Sequence, residues 1–347
     1  MTGEPMATQR PMVTRGERAA DFVARRGDGQ PTRFYGYAGG TPTVVVFSGA
    51  DGGPAARVVR DEIVAALDHD VRAYVIATSP QMADDATFQD PEGTVHAAYG
   101  VDPDDDLTVV VLDPNVRVAT AYVHRDPDTT VSRVVSAVAD VAIAGDGPTI
   151  RGHAPVLFIP HALDPSLCTH LIELWASSKT TETGVEATVG GTRGDSTDRT
   201  RKRRRDHTVT DPGLLRTLSS HVGRRVMPEL RKAFAYEAKQ FEGFKIGCYR
   251  AEDEGFFTAH RDNISPTTAH RTFALTLNLN DDYDGGELRF PEYGRDRYRP
   301  AAGEALVFSG AHLHEVLPVS RGRRFVLLSF LFGDLPRRTR PDGERHP

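Results

Sequence analysis

The chain is poor in sulfur nucleophiles, and the few it has come late. Among 347 residues only Cys168 and Cys248 are cysteines, so none precedes position 168. Two cysteines exclude a multi-bridge disulfide scaffold and a zinc site built from four thiolates, and they suit a reducing compartment. Lysine is missing from the first 150 residues, where 12 arginines face 22 acidic residues for a net charge of −10. Residues 151–347 hold the other 30 basic and 26 acidic residues, a net of +4. The asymmetry predicts two units with different surfaces, and neither is basic enough to make nucleic acid the default partner. No run of about 18 apolar residues occurs, so no membrane span is expected. The opening MTGEPMATQRPMVTRGER lacks the apolar core of a secretory signal, and a cytoplasmic location is expected. Hydrophobic residues at 39% and charged residues at 26% exclude wholesale disorder.

What is present reads as an α+β chain of two domains. The expected division is a loose tail over 1–15, a first domain over 16–145, a Gly- and Pro-rich linker over 146–155, a second domain over 156–333 and a charged tail over 334–347. In the first domain a helix is expected at 17–26. A buried strand follows at 43–47 (TVVVF), then a helix opened by Gly52-Gly53-Pro54 with Val58, Val59, Ile63, Val64 and Leu67 at helical spacing. Strands follow at 71–77, 107–112 and 116–123, the last two joined by the turn Asp113-Pro114-Asn115, and a helix closes the domain at 131–141. This β-α-β…β-β-α order, parallel at its start and an antiparallel hairpin at its end, resembles the thioredoxin/peroxiredoxin fold. Members of that fold keep a reactive Cys just after the first of these strands; here the stretch is Ser48-Gly49-Ala50-Asp51-Gly52-Gly53-Pro54. The thiolate is the nucleophile in that chemistry, so its absence predicts a redox-inert domain serving stability, homodimerisation or substrate recruitment.

The second domain opens with a strand at 156–159 and a helix start at Asp164-Pro165, the Asp as N-cap. Residues 178–206 form a polar loop that ends in a basic run, six of the seven residues from Arg199 to Arg205 being Arg or Lys. A mobile lid is expected there, its charge available to an anionic substrate or to the acidic first domain. A long helix with Leu215, Leu218, Val222, Val226, Leu230 and Phe234 on one face carries Pro228, which should kink it. Further on, 272–280 alternates cleanly: Phe273, Leu275, Leu277 and Leu279 share one face, Ala274, Thr276 and Asn278 the other. Small and polar residues on an inward face suit a barrel that holds a ligand.

The chemistry-bearing residues are His260-Arg261-Asp262 and, 52 positions past Asp262, His314. On an extended segment residues i and i+2 point the same way, so H-x-D aims an imidazole and a carboxylate at one point. A second imidazole from a distant strand completes a facial set of three that leaves the other positions of an octahedral ion open, as non-haem Fe(II) oxygenases require. Alone, an H-x-D pair is often just a solvated surface pair. The segment His314 to Arg324, H-E-V-L-P-V-S-R-G-R-R, reads as strand, turn, strand and brings an Arg into the same barrel ten residues past the His. Its planar fork matches a carboxylate at two points.

H-x-D, then H-E-V-x-P-V-x-x-G-x-R, with R-x(5)-L-N-L-N and D-G-G-E-L-R-F-P between them and V-L-F-I-P-x-x-L-D-P-x-x-C ahead, resembles the 2-oxoglutarate/Fe(II) dioxygenases of the prolyl 4-hydroxylase-like group over about 156–332. The resemblance implies a double-stranded β-helix, or jelly roll, with flanking helices. It implies iron ligation by His260, Asp262 and His314, Arg324 as the partner of the distal 2-oxoglutarate carboxylate, and a use for ascorbate in re-reducing iron. The substrate class it implies is an amino acid, a peptide or a small natural product. Two positions depart from some family members: Phe257 and Asn278 stand where those carry Tyr. Tyr249 and Thr276 are therefore both candidates for the second cosubstrate contact. A non-catalytic scaffold built from two degenerate domains is the alternative reading, and an intact triad speaks against it. A halogenase would lack the carboxylate ligand that Asp262 supplies.

Overall fold

The computed structural model describes residues 11–334, apart from 28, 50–52, 68–69, 80–83, 104–106, 143–148, 151, 183–184, 190–191 and 197; for 127 and 185–196 only the backbone is described. Two compact units divide the chain, residues 1–148 and 149–347. Part of the expected linker, most of the expected tails and residues 50–52 of the loop after the first buried strand lie outside the described residues.

In the first unit a seven-stranded mixed sheet is built around Thr43–Ser48, every residue of which is buried. This strand pairs parallel with Arg72–Ala77 and antiparallel with Thr108–Leu112, which forms a hairpin with Val118–Val123. The hairpin turn is fixed by Asp113, whose carboxylate accepts from the backbone N–H groups of Asn115 (2.9 Å) and Arg117 (2.8 Å). Helices Gly53–Ala66 and Pro127–Val141 cover one face through Ala56, Val59, Ile63, Val134 and Val138. Of the apolar residues expected on the first helix's buried stripe, Val58 (57%) and Val64 (48%) are exposed. The last helix begins four residues earlier than its apolar pattern does, because Asp126 caps it by accepting from Thr129 N at 3.0 Å.

The helix expected at 17–26 does not form. Ala19 N donates to Val116 O, Glu17 O accepts from Val118 N, and Val23–Arg25 pairs with Pro31–Arg33. Bonds to neighbouring strands take the place of helical ones, so tertiary pairing overrides a modest local preference. Strand Thr87–Gln89 and helix Thr94–Tyr99 were not legible in the sequence; both lie beside Asp90, which organises that corner.

The second unit is antiparallel throughout. One sheet runs, in spatial order, Leu157–Ile159, Ala305–Ser309, Phe273–Asn278, Arg323–Phe332, Lys245–Arg250, Arg205–Thr208 and Thr181–Glu182, with Gln240–Phe241 on the end of Arg323–Phe332. A smaller sheet holds Phe257–His260, His314–Val316, Leu288–Arg289 and Arg297–Tyr298. Tyr249, Ala274, Leu306, Phe308 and Val326 of the first pack with Leu288, Phe290 and Val316 of the second, so the two sheets face each other as expected of a jelly roll. The other face of the large sheet carries Phe273, Leu275 and Leu277 against Leu171 and Trp175 of helix Pro165–Ser177 and Leu218 and Leu230 of the helices that follow. The alternation at 272–280 is thus resolved as expected: leucines toward helices, Ala274 and Asn278 toward the space between the sheets.

Two details differ from expectation. Asp164 sits at the N-cap, but its carboxylate bonds Arg225 (2.9 Å) and His221 (3.2 Å) instead of the helix. The long helix is two, Pro212–His221 and Met227–Phe234, joined by a π turn over Val222–Val226. Pro228 has no N–H to continue the ladder, and the turn before it widens.

Candidate metal centre

His260 ends strand Phe257–His260 and lies directly opposite His314 in the antiparallel register. Cross-strand neighbours on one face hold two imidazoles side by side, with ring centroids 4.2 Å apart. Asp262 follows in the bend after the strand, anchored by its backbone N–H to Gly310 O at 2.9 Å. A Cβ on Gly310 would lie 2.5 Å from Arg271 O, so only glycine allows this approach. One donor atom from each of His260, Asp262 and His314 lies within 4.8 Å of the others, the one such group among the described residues. His260 Nε2 is 3.6 Å from Asp262 Oδ1, and His314 Nε2 is 3.5 Å from Asp262 Oδ2.

Each imidazole is oriented from behind. His260 Nδ1 meets Thr258 O at 2.8 Å and His314 Nδ1 meets His312 O at 3.0 Å. A carbonyl only accepts, so each Nδ1 donates to it and each Nε2 faces the common point. Burial, reinforced by the adjacent His314, holds the His260 imidazole well below its ordinary value and therefore neutral. Burial likewise pushes the Asp262 carboxyl up, against the pull of His314, Arg271 and Arg204. Two imidazole nitrogens and one carboxylate, buried and converging, are a donor set suited to a divalent iron ion.

Arg324, 2% exposed, lies opposite Tyr249 in the sheet register. Its Nη2 donates to Asn278 Oδ1 at 3.1 Å and its Nε to the same atom at 3.3 Å. Asn278 is held in turn by donating Nδ2 to Tyr283 Oη (2.6 Å) and Pro300 O (2.7 Å). Arg324 forms no ion pair among the described residues, and its hydrogen-bond partner there is the Asn278 amide oxygen. Gly286, at φ +69°, leaves room beside it: a Cβ there would be 3.1 Å from Arg324 Cδ and 2.9 Å from Val319. That need, and the 2.3 Å a Cβ on Gly285 would leave to Pro318 O, account for the glycine pair of D-G-G-E.

Tyr249, 2% exposed, lies between two guanidinium groups, with Arg204 and Arg324 each 5.6 Å from its ring centroid. Arg204 Nη1 donates to Tyr249 Oη at 3.1 Å. Thr276 is buried on the same inward face of its strand. Sequence reasoning assigned Arg204 to a solvated lid. The structure instead places it in a two-point ion pair with buried Asp206, 2.6 and 2.8 Å, on a strand of the large sheet. Other residues of the basic run are also engaged. Lys202 is buried with its ammonium 5.2 Å from the Phe257 ring centroid, Arg203 bonds Glu254, and Arg199 bonds Glu182. Upstream, Val185–Val189 and Thr192–Ser196 form an antiparallel hairpin. Pairing with the sheet, invisible in a local charge count, explains the difference. His312 is not a ligand; its Nδ1 is 3.1 Å from Tyr293 Oη.

Residues 244–332 match the sequence model of the 2OG-Fe(II) oxygenase superfamily. A PKHD-type hydroxylase of Pseudomonas putida is 40% identical over 89 residues, covering 23% of this chain and 38% of that protein. One from Xanthomonas campestris pv. campestris is 30% identical over 125 residues, covering 35% of this chain and 52% of that protein. The chain therefore spans about half or less of the curated relatives it matches. The crystal structure of a Pseudomonas putida prolyl-4-hydroxylase aligns at 19% identity with a TM-score of 0.38, covering 52% of this chain and 94% of that one. The viral collagen prolyl hydroxylase of Paramecium Bursaria Chlorella virus-1 aligns at 14% and 0.39 over 52% of this chain and 96% of that one. The matched segment carries the H-x-D…H iron-binding triad of this oxygenase family intact, and family and triad together imply Fe(II) and 2-oxoglutarate.

Proposed function

We propose that the protein is an Fe(II)- and 2-oxoglutarate-dependent dioxygenase that hydroxylates an unactivated C–H bond of an amino acid, a peptide or a small natural product. Succinate and CO2 are the co-products. The observation that carries the reading is the convergence of His260, Asp262 and His314 in a segment matching the oxygenase superfamily. Iron, when bound, couples the oxidative decarboxylation of 2-oxoglutarate to insertion of one oxygen atom into substrate. His260 and His314 would hold it through Nε2 and Asp262 through a carboxylate oxygen. Arg324 binds and orients the far carboxylate of the cosubstrate, with Asn278 holding the guanidinium in place. Tyr249 accepts from Arg204, which leaves its own O–H proton to donate toward that carboxylate; Thr276 offers a second hydroxyl on the same face. The apolar residues between the sheets exclude bulk water from these contacts and so strengthen them.

The strand order of the first unit supports a thioredoxin/peroxiredoxin-like reading without thiol chemistry, because its sequence holds no cysteine. Stability, homodimerisation or substrate recruitment remain its proposed roles, and ascorbate the proposed reductant for iron. The test is a mass-spectrometric screen of peptide and amino-acid pools for products that gain one oxygen atom. The reading expects the oxygenated product and succinate in equal amounts, both dependent on iron. An oxygenated product formed at an unchanged rate without 2-oxoglutarate would overturn it.

A further inference from the structure

The two segments that bear the metal donors are far apart in sequence, and both are tied to one side chain that is not a donor. Glu292 lies in the turn after strand Leu288–Arg289. Its carboxylate takes a two-point ion pair from Arg261, Nη2 to Oε1 at 2.6 Å and Nη1 to Oε2 at 3.2 Å. The same Oε2 accepts the backbone N–H of Leu313 at 2.9 Å. Arg261 is the middle residue of H-x-D, and Leu313 immediately precedes His314. Arg261 also donates to Ala311 O, and the next residue of the turn, Tyr293, meets His312 Nδ1. The peptide held in this way includes His312 O, the carbonyl that orients the His314 ring.

We propose that Glu292 is a positioning residue for the metal site, a bracket that sets the spacing between the H-x-D segment and His314 before the ion arrives. Three donors that must meet one ion lose affinity when their segments are free to part, and partners behind the ligands govern that freedom. Arg261 and Glu292 are 35% and 39% exposed, so their pairing adds little to global stability. Its effect is therefore expected in metal affinity and not in folding. The bracket depends on Arg at the middle position of H-x-D, a residue the metal itself does not require.

The inference rests on reading the triad as a metal site. Co2+ affinity of the full-length protein is measured by chelator competition for wild type, Glu292→Ala, Glu292→Gln and Arg261→Ala, alongside the melting temperature of each metal-free protein. Glu292→Ala should weaken Co2+ binding about 10–100-fold, the usual cost of losing a partner behind the ligands. Its metal-free melting temperature should stay at the wild-type value. Glu292→Gln keeps an acceptor for Leu313 N–H and should recover part of the loss, while Arg261→Ala should reproduce part of it. Wild-type Co2+ affinity in Glu292→Ala, or a loss matched by a fall in the metal-free melting temperature, overturns the bracket alone. No Co2+ binding by wild type overturns the metal-site reading and the bracket with it.

Discussion

The two units bury polar groups to opposite ends. In the first, Asp90 and His96 are almost wholly buried, yet the Asp90 carboxylate is saturated: it accepts from the backbone N–H of Val95 and His96, from Thr94 and from His96 Nδ1. The His96 ring packs edge-to-face on Phe47. Apart from His96 Nε2, which has no hydrogen-bond partner among the described residues, the polar atoms there close a corner of the fold. In the second unit, two imidazoles and a carboxylate turn their donor atoms toward one another, and the buried Arg324 guanidinium has an amide oxygen and the Tyr249 ring beside it and no ion-pair partner among the described residues. Buried polarity that closes on itself is architecture, whereas buried polarity that converges without neutralising itself marks a place for a ligand.

The contrast breaks most sharply if the triad is dispensable. Single substitutions His260→Ala, Asp262→Ala and His314→Ala should each weaken Fe(II) or Co2+ binding by at least about 100-fold, more than loss of a partner behind a ligand costs. Chelator competition measures it, and wild-type affinity in any of the three removes that residue from the site. Next comes Arg324→Ala, which should cost about 2–5 kcal/mol of 2-oxoglutarate binding as a buried charged partner is lost. Asn278→Ala, which removes only the dipole behind Arg324, should cost less, about 1–2 kcal/mol. Titration calorimetry with the metal-loaded protein separates the two, and an Asn278→Ala loss as large as that of Arg324→Ala would contradict the assigned roles.

The first unit gives the mirror-image result. Asp90→Ala should lower stability by about 3–5 kcal/mol, since three buried donors lose their acceptor, and leave metal affinity unchanged. Burial alone would raise the Asp90 carboxyl, but the bonds from His96 and Val95 hold it below the ordinary carboxylate value. The unfolded chain therefore takes up this proton first as pH falls, so the contribution is complete above about pH 4 and is lost below it. Thermal unfolding between about pH 2 and 5 should show a slope that Asp90→Ala flattens. The smallest expected effect is none at all. Burial pushes the Cys168 thiol up to about 11 and the Cys248 thiol up to about 12. Native protein should resist alkylation near neutral pH and react at both cysteines only when denatured; fast native labelling would contradict the burial of these two thiols.

The H-x-D pair His260 and Asp262 was legible because metal ligation demands given residue types at a fixed local spacing, and His314 was singled out by the resemblance of the segment around it. The face of Thr276 and Asn278 was legible because a strand's period of two survives any tertiary context. Arg204 and Asp206 were not, since their place depends on Arg205 pairing with Cys248 and on Tyr249 pairing with Arg324, registers that no local pattern encodes. The extended path at 17–26 and the organising role of Asp90 stayed hidden for the same reason: partners about 100 residues away, Val116 and Val118, decide the first. Glu292 was missed because its partners, Arg261 and Leu313, are adjacent to ligands without resembling them.

The central claim is that the converging polar groups of the second unit form one site for a metal and an oxoacid. Its most direct test is anaerobic binding of 2-oxoglutarate to the full-length protein with and without Fe(II). The account predicts binding that strengthens by at least about tenfold, or 1.4 kcal/mol, when Fe(II) is present and that loses this gain in Asp262→Ala. Equal affinity with and without the metal, or a gain that survives in Asp262→Ala, would contradict it.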